Sequence, residues 1–279
     1  MVRSTRELRS GVTVQGGPSP SAAGSPPTVS VILATLNERD NLPELLNGIL
    51  RQPLSPFEVI VVDDGSTDGT RELVSHLAGS EPRIRPIFHN GKQTTLRAQC
   101  QGIESARGEF VIVMDADLQH PPERIPAMVR ELTGGVGLVV ASRYAPEGSV
   151  GRRTVARAII SRGAEGIAKL LLPEARGVTD PVSGYFGFRR EIFVPLDPEY
   201  RGYKLLLFVL VMNRGRRRAE VGFRFEPRTH GSSKVTQTAG FVRLFLVETL
   251  LARRLRRRLR RTPAAGVALS NDPAGSVPP

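Results

Sequence analysis

Residues 110–123 read FVIVMDADLQHPPE, and this stretch carries most of the information about the architecture. Five apolar residues run into two aspartates, Asp115 and Asp117, and a pair of prolines then opens a helical pattern. A short apolar run that ends at charge and a helix start is typical of a buried parallel strand. Open α/β sheets bind ligands at the carboxyl ends of such strands. We therefore expect the two carboxylates to hold a divalent metal that faces a diphosphate, with a solvated loop as the alternative.

The same alternation of strand and helix patterns continues on both sides of this stretch. Strands are predicted at 29–34, 57–62, 84–89, 110–114 and 138–142, with helical patterns of about ten residues between them, which indicates β-α-β units and a mainly parallel sheet. Right-handed crossovers place the carboxyl ends of these strands at one edge. The polar residues expected at that edge are Glu38, Asp63, Asp64, Asp115, Asp117 and Arg143.

The pattern changes after Arg143. Helices are predicted at 154–172 and 203–213, with a turn at 180–184 and short strands at 185–188 and 220–225, the last of which we expect to pair antiparallel. A final helix is predicted at 241–261 and carries five apolar residues on one face, Leu244, Val247, Leu251, Leu255 and Leu259. The fold class is therefore α/β, a Rossmann-like, mainly parallel sheet with a small antiparallel extension and a C-terminal amphipathic helix.

Composition divides the chain into four segments. Residues 1–27 and 262–279 are rich in Ser, Gly, Ala and Pro without an apolar period, so both are predicted to be disordered. Residues 28–235 are predicted to form the α/β domain and 236–261 a separate amphipathic helix. The first segment lacks the apolar stretch of a secretory signal, and the lone Cys100 excludes a disulfide framework. These features predict a cytoplasmic protein.

The formal net charge of +12 is concentrated near the C-terminus, where seven arginines lie between Arg253 and Arg261. Basic runs attract nucleic acid and anionic lipid alike. Aromatic residues that could stack on bases do not accompany the arginines, so we do not expect nucleic acid as the partner. An apolar helix face followed by basic residues instead predicts peripheral contact with an anionic membrane surface, and a core-packed helix with a solvated basic end is the alternative.

The residues at the predicted sheet edge suggest different roles. Asp64 directly follows a strand and is expected to contact a ligand, whereas Asp68 is expected to cap the next helix. His120 precedes the two prolines and is expected to be structural. The expected phosphate-binding residues are Arg143, Arg157, Arg228 and Lys234, the last in a Gly-Ser-Ser-Lys loop that could close over a donor.

A set of motifs resembles the dolichyl/polyprenyl-phosphate mannose synthases, which are family 2 glycosyltransferases of GT-A fold. The resemblance covers roughly residues 28–235. The matching segments are VVDDGSTDGT at 61–70, VIVMDADLQHPPE at 111–123, ASRY at 141–144, ARAIISRGA at 156–164, DPVSGYFGFRRE at 180–191, GYK at 202–204 and RTHGSSK at 228–234.

This resemblance implies transfer of a sugar, usually mannose from GDP-mannose, onto a polyprenyl phosphate with inversion, in a reaction that needs Mg2+ or Mn2+. The residues it implies at the donor are Leu36, Glu38, Val62, Asp64, Asp115, Ala116, Arg228 and Lys234. It implies Asp117 and Gln119 at the metal and Arg143, Arg157 and Ser161 at the acceptor phosphate. Asp115, Asp117 and Arg143 are the implied catalytic residues. A lipid phosphate is already an anion, so no general base is expected.

Several positions depart from the family pattern. Ala34 and Leu36 stand where Pro and Tyr are usual beside the base, Thr94-Thr95 replaces a usual Gly-Leu, and Phe208 stands where Glu is common, which predicts the loss of a polar contact. Two alternatives therefore remain open. One is a family 2 glycosyltransferase that uses a UDP-sugar or another acceptor, and the other is a non-catalytic, arginine-rich binder of nucleic acid or lipid.

Overall fold

The computed structural model describes residues 28–151, 155–197, 200, 202–226 and 239–261, and of residues 155–160, 239–241 and 261 it describes the backbone alone. Seven strands of this part form one sheet, in the order β3-β2-β1-β4-β6-β5-β7. The strands are β1 (Val29–Thr35), β2 (Phe57–Asp63), β3 (Ile84–Phe88), β4 (Phe110–Asp115), β5 (Leu138–Ser142), β6 (Phe186–Arg189) and β7 (Arg218–Gly222).

Seven α-helices accompany the sheet in the described residues. They are α1 (Leu42–Leu50), α2 (Thr70–Ser80), α3 (Thr95–Glu104), α4 (Ile125–Thr133), α5 (Val155–Leu171), α6 (Leu205–Met212) and α7 (Ala239–Arg261). Short 3-10 turns lie at Pro122–Arg124, Pro173–Gly177 and Arg190–Ile192. The predicted strand-helix alternation is confirmed, with boundaries that differ by a few residues.

The sheet is parallel except for β6, which pairs antiparallel with both β4 and β5. Because β6 runs the other way, the turn at 180–184 that precedes it lies at the carboxyl edge of the parallel strands. The expectation that the last strand pairs antiparallel was wrong, since β7 pairs parallel with β5 from Leu138↔Arg218 to Ser142↔Gly222. The connection through α6 returns the chain to the starting end of the sheet, so β7 can run alongside β5.

Two apolar cores cover the two faces of the sheet. One includes buried residues of α1, α2 and α4, and the other includes buried residues of α3, α5, α6 and α7. Helix α6 is apolar on all sides, and each residue from Leu205 to Val211 is buried. A helix without a polar face must be surrounded by other parts of the protein, and α7 packs against one side of α6.

Helix α7 packs on the α/β domain through Phe245, Ala252 and Leu255, all of which are buried. Its solvent side carries four apolar side chains that are 37–49% exposed, Val242, Leu246, Val247 and Leu250. Of the five residues expected on one apolar face, Leu255 is buried and Val247 is exposed, so that face divides between the core and solvent. Within the described residues, no helix combines the length and apolar character that a membrane crossing requires.

Candidate active site

The carboxyl ends of the central strands bring the acidic residues together. Strand register pairs Ala34 of β1 with Val62 on one side and with Asp115 on the other. The ends of β1, β2 and β4 are therefore level, and the residues that follow them line one edge. The predicted clustering of acidic side chains at this edge follows from that register.

The segment after β4 has a constrained backbone. Asp115 has a half-exposed side chain, whereas Asp117 is buried and accepts a hydrogen bond from the Gln119 N–H at 3.2 Å. Leu118, between Asp117 and Gln119, has φ 63°, a left-handed conformation that costs free energy in a bulky residue. The surrounding packing thus holds the turn that presents Asp117 and Gln119 together.

His120 supports this turn from inside. The Asp115 N–H donates to His120 Nδ1 at 3.0 Å, and the ring stacks on Tyr185 at 5.1 Å between centroids. Burial lowers the pKa of His120, against the opposing effect of the neighbouring aspartates. A neutral ring that accepts at Nδ1 and packs on an aromatic residue fits the predicted structural role.

Gly184 lies against the Asp115 carboxylate. A Cβ at residue 184 would stand 2.6 Å from Asp115 Oδ2 and 3.2 Å from His120 Cε1. Glycine is required here because backbone and carboxylate approach within van der Waals contact. The 180–184 turn therefore forms one wall of the site.

Arg143 is fixed by Asp180 of the same turn. Its Nε and Nη2 donate to Asp180 Oδ2 and Oδ1 at 2.6 and 2.7 Å, and the Asp180 side chain is fully buried. Burial alone would lower the pKa of Arg143, but these hydrogen bonds raise it above its ordinary value. A bidentate pair fixes the plane of the guanidinium, so Arg143 has a defined orientation toward the site. This role of Asp180 was not predicted from the sequence.

Of the residues predicted to bind the acceptor phosphate, Ser161 lies near Arg143. Ser161 Oγ and the Tyr144 hydroxyl both donate to Glu165 Oε1, at 3.2 and 2.7 Å, so Ser161 of α5 lies beside the residue that follows Arg143. The side chain of Arg157, on the preceding turn of α5, is outside the described part. Arg228 and Lys234 also lie outside the described residues.

The loop after β2 is organised by its own aspartates. Asp68 is not the N-cap of α2, which is Gly69, but it lies one residue earlier and its Oδ1 accepts from the N–H and hydroxyl of Thr70, the first residue of the helix. Asp63 is fully buried and accepts from the Ser66 N–H at 3.1 Å. Both carboxylates thus shape the loop.

Asp64 takes part in a buried polar cluster. Its Oδ1 accepts from the Gln93 N–H at 2.9 Å and lies 2.8 Å from His89 Nδ1, while His89 Nε2 lies within hydrogen-bonding distance of Gln101 Oε1. The bond with Asp64 raises the pKa of His89 above its ordinary value. His89 was not assigned a role from the sequence. Ligand contact by Asp64 stays a prediction.

The other predicted donor residues occupy the same edge. Glu38 accepts from Asn41 Nδ2 at 2.7 Å and its N–H donates to Thr70 Oγ1, so it is held next to the loop after β2. Leu36 is partly buried, and Val62 and Ala116 are buried. Because the Val62 side chain points into the apolar core, any donor contact there would come from its main chain.

Two further charged residues reach this region from the C-terminal part of the chain. Lys204 Nζ donates to Val182 O of the 180–184 turn at 2.9 Å, and burial lowers its pKa while Asp115 raises it. Glu248 of α7 is fully buried and accepts the N–H groups of Tyr203 and Lys204. The signal for Glu248 in the sequence is a single acidic residue inside the apolar stretch 244–252.

The described donors at the edge fit a hard cation. Gln119 Nε2 donates to Glu226 O at 3.1 Å, and the amide oxygen of Gln119 and the carboxylate of Asp117 are oxygen donors of the kind that hard cations prefer. Within the described part of the chain, no group of three or more His, Cys, Asp and Glu forms a metal cage. Ions of the Mg2+ type are bound by one or two carboxylates plus phosphate oxygens and water, so this small donor set is compatible with such an ion.

Comparison with known proteins gives concordant results. Residues 30–195 match the family described as "Glycosyl transferase family 2". The chain is 37% identical over 209 residues to the dolichol-phosphate mannosyltransferase of Pyrococcus furiosus, a match that covers 74% of this chain and 59% of that protein. It is 32% identical over 240 residues to the polyprenol monophosphomannose synthase of Mycolicibacterium smegmatis, covering 81% and 89%.

Among solved structures, glucosyl-3-phosphoglycerate synthase from Mycobacterium tuberculosis in complex with Mn2+, UDP-glucose and phosphoglyceric acid superimposes with a TM-score of 0.61. The two chains are 24% identical, and the match covers 81% of this chain and 79% of that one. At this identity the likeness concerns the fold, and it agrees with the predicted GT-A architecture.

Proposed function

The chain belongs to glycosyl transferase family 2, and on that premise we propose that it transfers a hexose, mannose from GDP-mannose, to a polyprenyl phosphate with inversion. The observation that carries this proposal is that the 180–184 turn contacts both halves of the site. Its Gly184 abuts Asp115 of the acidic segment, and its Asp180 holds Arg143. Acidic and basic groups held on either side of one turn suit a reaction between a metal-bound diphosphate and a second phosphate. The two mannosyltransferase relatives support the same assignment.

Asp117 and Gln119 would hold a divalent cation, Mg2+ or Mn2+, at the donor diphosphate. The bound cation would act as a Lewis acid that stabilises negative charge on the leaving diphosphate. Support comes from the all-oxygen donor set and from the Mn2+ in the M. tuberculosis structure of the same fold. Asp115, half-exposed and braced by His120 and Gly184, would face the sugar.

Arg143 would bind the acceptor phosphate. Its Nε and Nη2 are engaged by Asp180, so Nη1 remains directed away from that pair, and Ser161 and Arg157 lie on the neighbouring helix α5. A phosphate nucleophile carries negative charge at neutral pH, so its reaction depends on orientation and charge stabilisation. No residue needs to remove a proton from the acceptor.

The outer face of α7 would rest on the cytoplasmic surface of a membrane, where a polyprenyl phosphate resides. Val242, Leu246, Val247 and Leu250 are exposed there, and Leu170 of α5 is 72% exposed. Arg254, Arg257, Arg258 and Arg260 are exposed further along α7. Arg256 of the same helix instead donates to Glu174 at 2.7 Å, so its side chain faces the α/β domain. An apolar patch flanked by cations suits an anionic leaflet, at about 1 kcal/mol for each basic residue near the surface.

The decisive test is incubation of the purified protein with radiolabelled GDP-mannose, and separately UDP-glucose, in the presence of a polyprenyl phosphate, with and without a chelator. Solvent-extractable labelled lipid from GDP-mannose that disappears with chelator is expected. If labelled lipid forms from the UDP-sugar alone, the donor is a UDP-sugar and not GDP-mannose. The residues Ala34 and Leu36, at the positions expected beside the base, would explain that result. Absence of any labelled lipid would contradict the proposal.

A further inference from the structure

Helix α7 places one carboxylate, Glu248, in the protein interior. The side chain is fully buried, on the same face of the helix as the buried residues Phe245, Thr249 and Ala252. Burial of an ionisable group is costly unless hydrogen bonds compensate. The contacts of Glu248 therefore indicate what this residue is for.

Both hydrogen bonds come from the loop before α6. The N–H groups of Tyr203 and Lys204 donate to Glu248 Oε1, at 2.6 and 2.8 Å. The carboxylate also abuts Gly202, where a Cβ would overlap it. Since Lys204 is the N-cap of α6, the carboxylate lies at a helix N-terminus, where unpaired N–H groups and the helix dipole favour negative charge.

The loop that Glu248 holds also enters the catalytic centre. The backbone of Lys204 bonds Glu248, and the Lys204 ammonium donates to Val182 O. Val182 belongs to the turn that includes Asp180, the partner of Arg143, and Gly184, which abuts Asp115. The Lys204 charge acts on Asp115 and Arg143 as well. One residue thus links the interior of α7 to the turn between the acidic and basic halves of the site.

We propose that Glu248 is a positioning residue of the catalytic centre, which fixes the backbone at 203–204 and so directs the Lys204 ammonium toward phosphate oxygens. This inference rests on the proposed function. It makes α7 a structural part of the active site, in addition to its proposed contact with the membrane. Phe208, where a polar contact is expected to be lost, is fully buried in the apolar core, and the carboxylate that reaches the loop before α6 comes from a different helix.

The protonation state of Glu248 provides a readout that a purely structural residue would lack. Burial raises the pKa of Glu248 to about 7, against the opposing effects of the two N–H bonds and of Lys204. Among the described residues, Tyr203 and Lys204 are the titratable groups that face it, while α5 and α6 contribute apolar core residues to the same cluster. Its Oε2 has no hydrogen-bond partner among the described residues. Oε1 can accept both N–H groups in either protonation state, so glutamine can replace the acceptor but cannot titrate.

Glu248→Ala, Glu248→Gln and a matched control, Thr249→Val, would be compared in the full chain. Thr249 is the adjacent buried residue, and its hydroxyl donates within the helix, to Phe245 O. The measurements are thermal stability, the Kd of GDP with Mn2+, and kcat and KM for both substrates between about pH 6 and pH 8.

Glu248→Ala should lower kcat/KM roughly tenfold to a hundredfold, the scale of a small misplacement of a binding group. Glu248→Gln should have a kcat close to that of wild type. Its pH profile of kcat and KM should lack the ionisation near neutrality that wild type shows. A weaker GDP affinity would assign Lys204 to the donor diphosphate, and a higher KM for the lipid alone would assign it to the acceptor phosphate. Either result supports the inference.

A Glu248→Ala protein with wild-type kcat and KM, and a loss of thermal stability like that of Thr249→Val, would overturn the inference. So would an unchanged pH profile in Glu248→Gln. A wild-type protein that forms no labelled lipid contradicts the proposed function instead, so the two failures are distinguishable.

Discussion

The Arg143 guanidinium and the Asp180 carboxylate form two parallel hydrogen bonds, of 2.6 and 2.7 Å, between the end of β5 and the turn before β6. The aspartate is fully buried and the arginine nearly so. The pair therefore joins two elements that the antiparallel strand β6 brings to the same edge of the sheet.

Replacement of Asp180 by asparagine should impair both stability and activity. Loss of one partner of a buried pair leaves an uncompensated charge and costs about 3–5 kcal/mol. Thermal unfolding and steady-state kinetics check the expectation, with KM for the polyprenyl phosphate rising more than KM for the donor. Glu191→Gln, which removes one member of the exposed Arg216–Glu191 pair, is the control and should change little. An Asp180→Asn protein with normal kinetics would show that Arg143 does not need this orientation.

Asp117→Asn should weaken metal-dependent nucleotide binding. The substitution removes the charge of the proposed metal ligand while keeping the size of the side chain, and a hard cation depends strongly on carboxylate ligands. Titration of GDP with and without Mn2+ measures the effect, and the loss should exceed about tenfold in Kd. Glu131→Gln, at an exposed position of α4, is the matched control. Equal GDP affinity of wild type and Asp117→Asn in Mn2+ would exclude Asp117 from the metal site.

Gly184→Ala should reduce kcat by displacing Asp115. The added methyl would lie 2.6 Å from Asp115 Oδ2, so the carboxylate must move, and a displacement of this size can cost about a hundredfold in rate. Gly79→Ala is the control, since a Cβ there meets nothing within 4 Å and residue 79 lies inside α2. The control should keep full activity and gain slightly in helix stability. Normal kcat in Gly184→Ala would indicate that the exact place of Asp115 is unimportant.

The stability contribution of His89 should fall as pH rises. Hydrogen bonding to Asp64 raises the pKa of His89, so the folded protein binds this proton more tightly than the unfolded chain, whose histidine pKa is about 6.5. The contribution is fully present below the unfolded value and is lost as pH rises through the higher folded value. Arg97 opposes the shift, and Gln101 reinforces it.

Thermal unfolding of wild type and His89→Gln at a series of pH values tests this expectation. The difference in Tm between them should shrink as pH rises above about 6.5. His76→Gln, at an exposed position of α2, is the control and should show a small difference in Tm. A His89→Gln difference that does not vary with pH would show that the pKa of His89 is the same in the folded protein and in the unfolded chain.

Binding to anionic vesicles should depend on the outer face of α7. Leu246→Asp and Leu250→Asp alter exposed side chains, so the fold should persist while sedimentation with vesicles decreases. Arg257→Gln with Arg260→Gln should weaken binding by about 2 kcal/mol and make it less sensitive to salt. Arg214→Gln with Arg217→Gln removes the same charge from a different exposed segment and is the control. Equal losses from both arginine pairs would indicate attraction by net charge alone.

The local sequence predicted the strands and helices well because the apolar runs are short, strongly patterned and separated by turn residues. FVIVMD at 110–115 and LVVAS at 138–142 could be assigned as buried strands without any knowledge of their neighbours. The placement of Asp115, Asp117 and Arg143 at one edge then followed from the handedness of the crossovers. The direction of β7 was not predictable in this way, because the residues of a single strand specify neither the strand it pairs with nor whether it pairs parallel or antiparallel.

The partners of the site residues depended on contacts between segments far apart in the chain. Asp180 lies 37 residues from Arg143, and Glu248 lies 44 residues from Lys204. The sequence by itself determined the chemical groups and the edge at which they gather, since periodicity and chain handedness are local properties. Only the tertiary structure decided which carboxylate orients which cation, because those pairs form where the antiparallel strand β6 and the packing of α7 bring distant segments into contact.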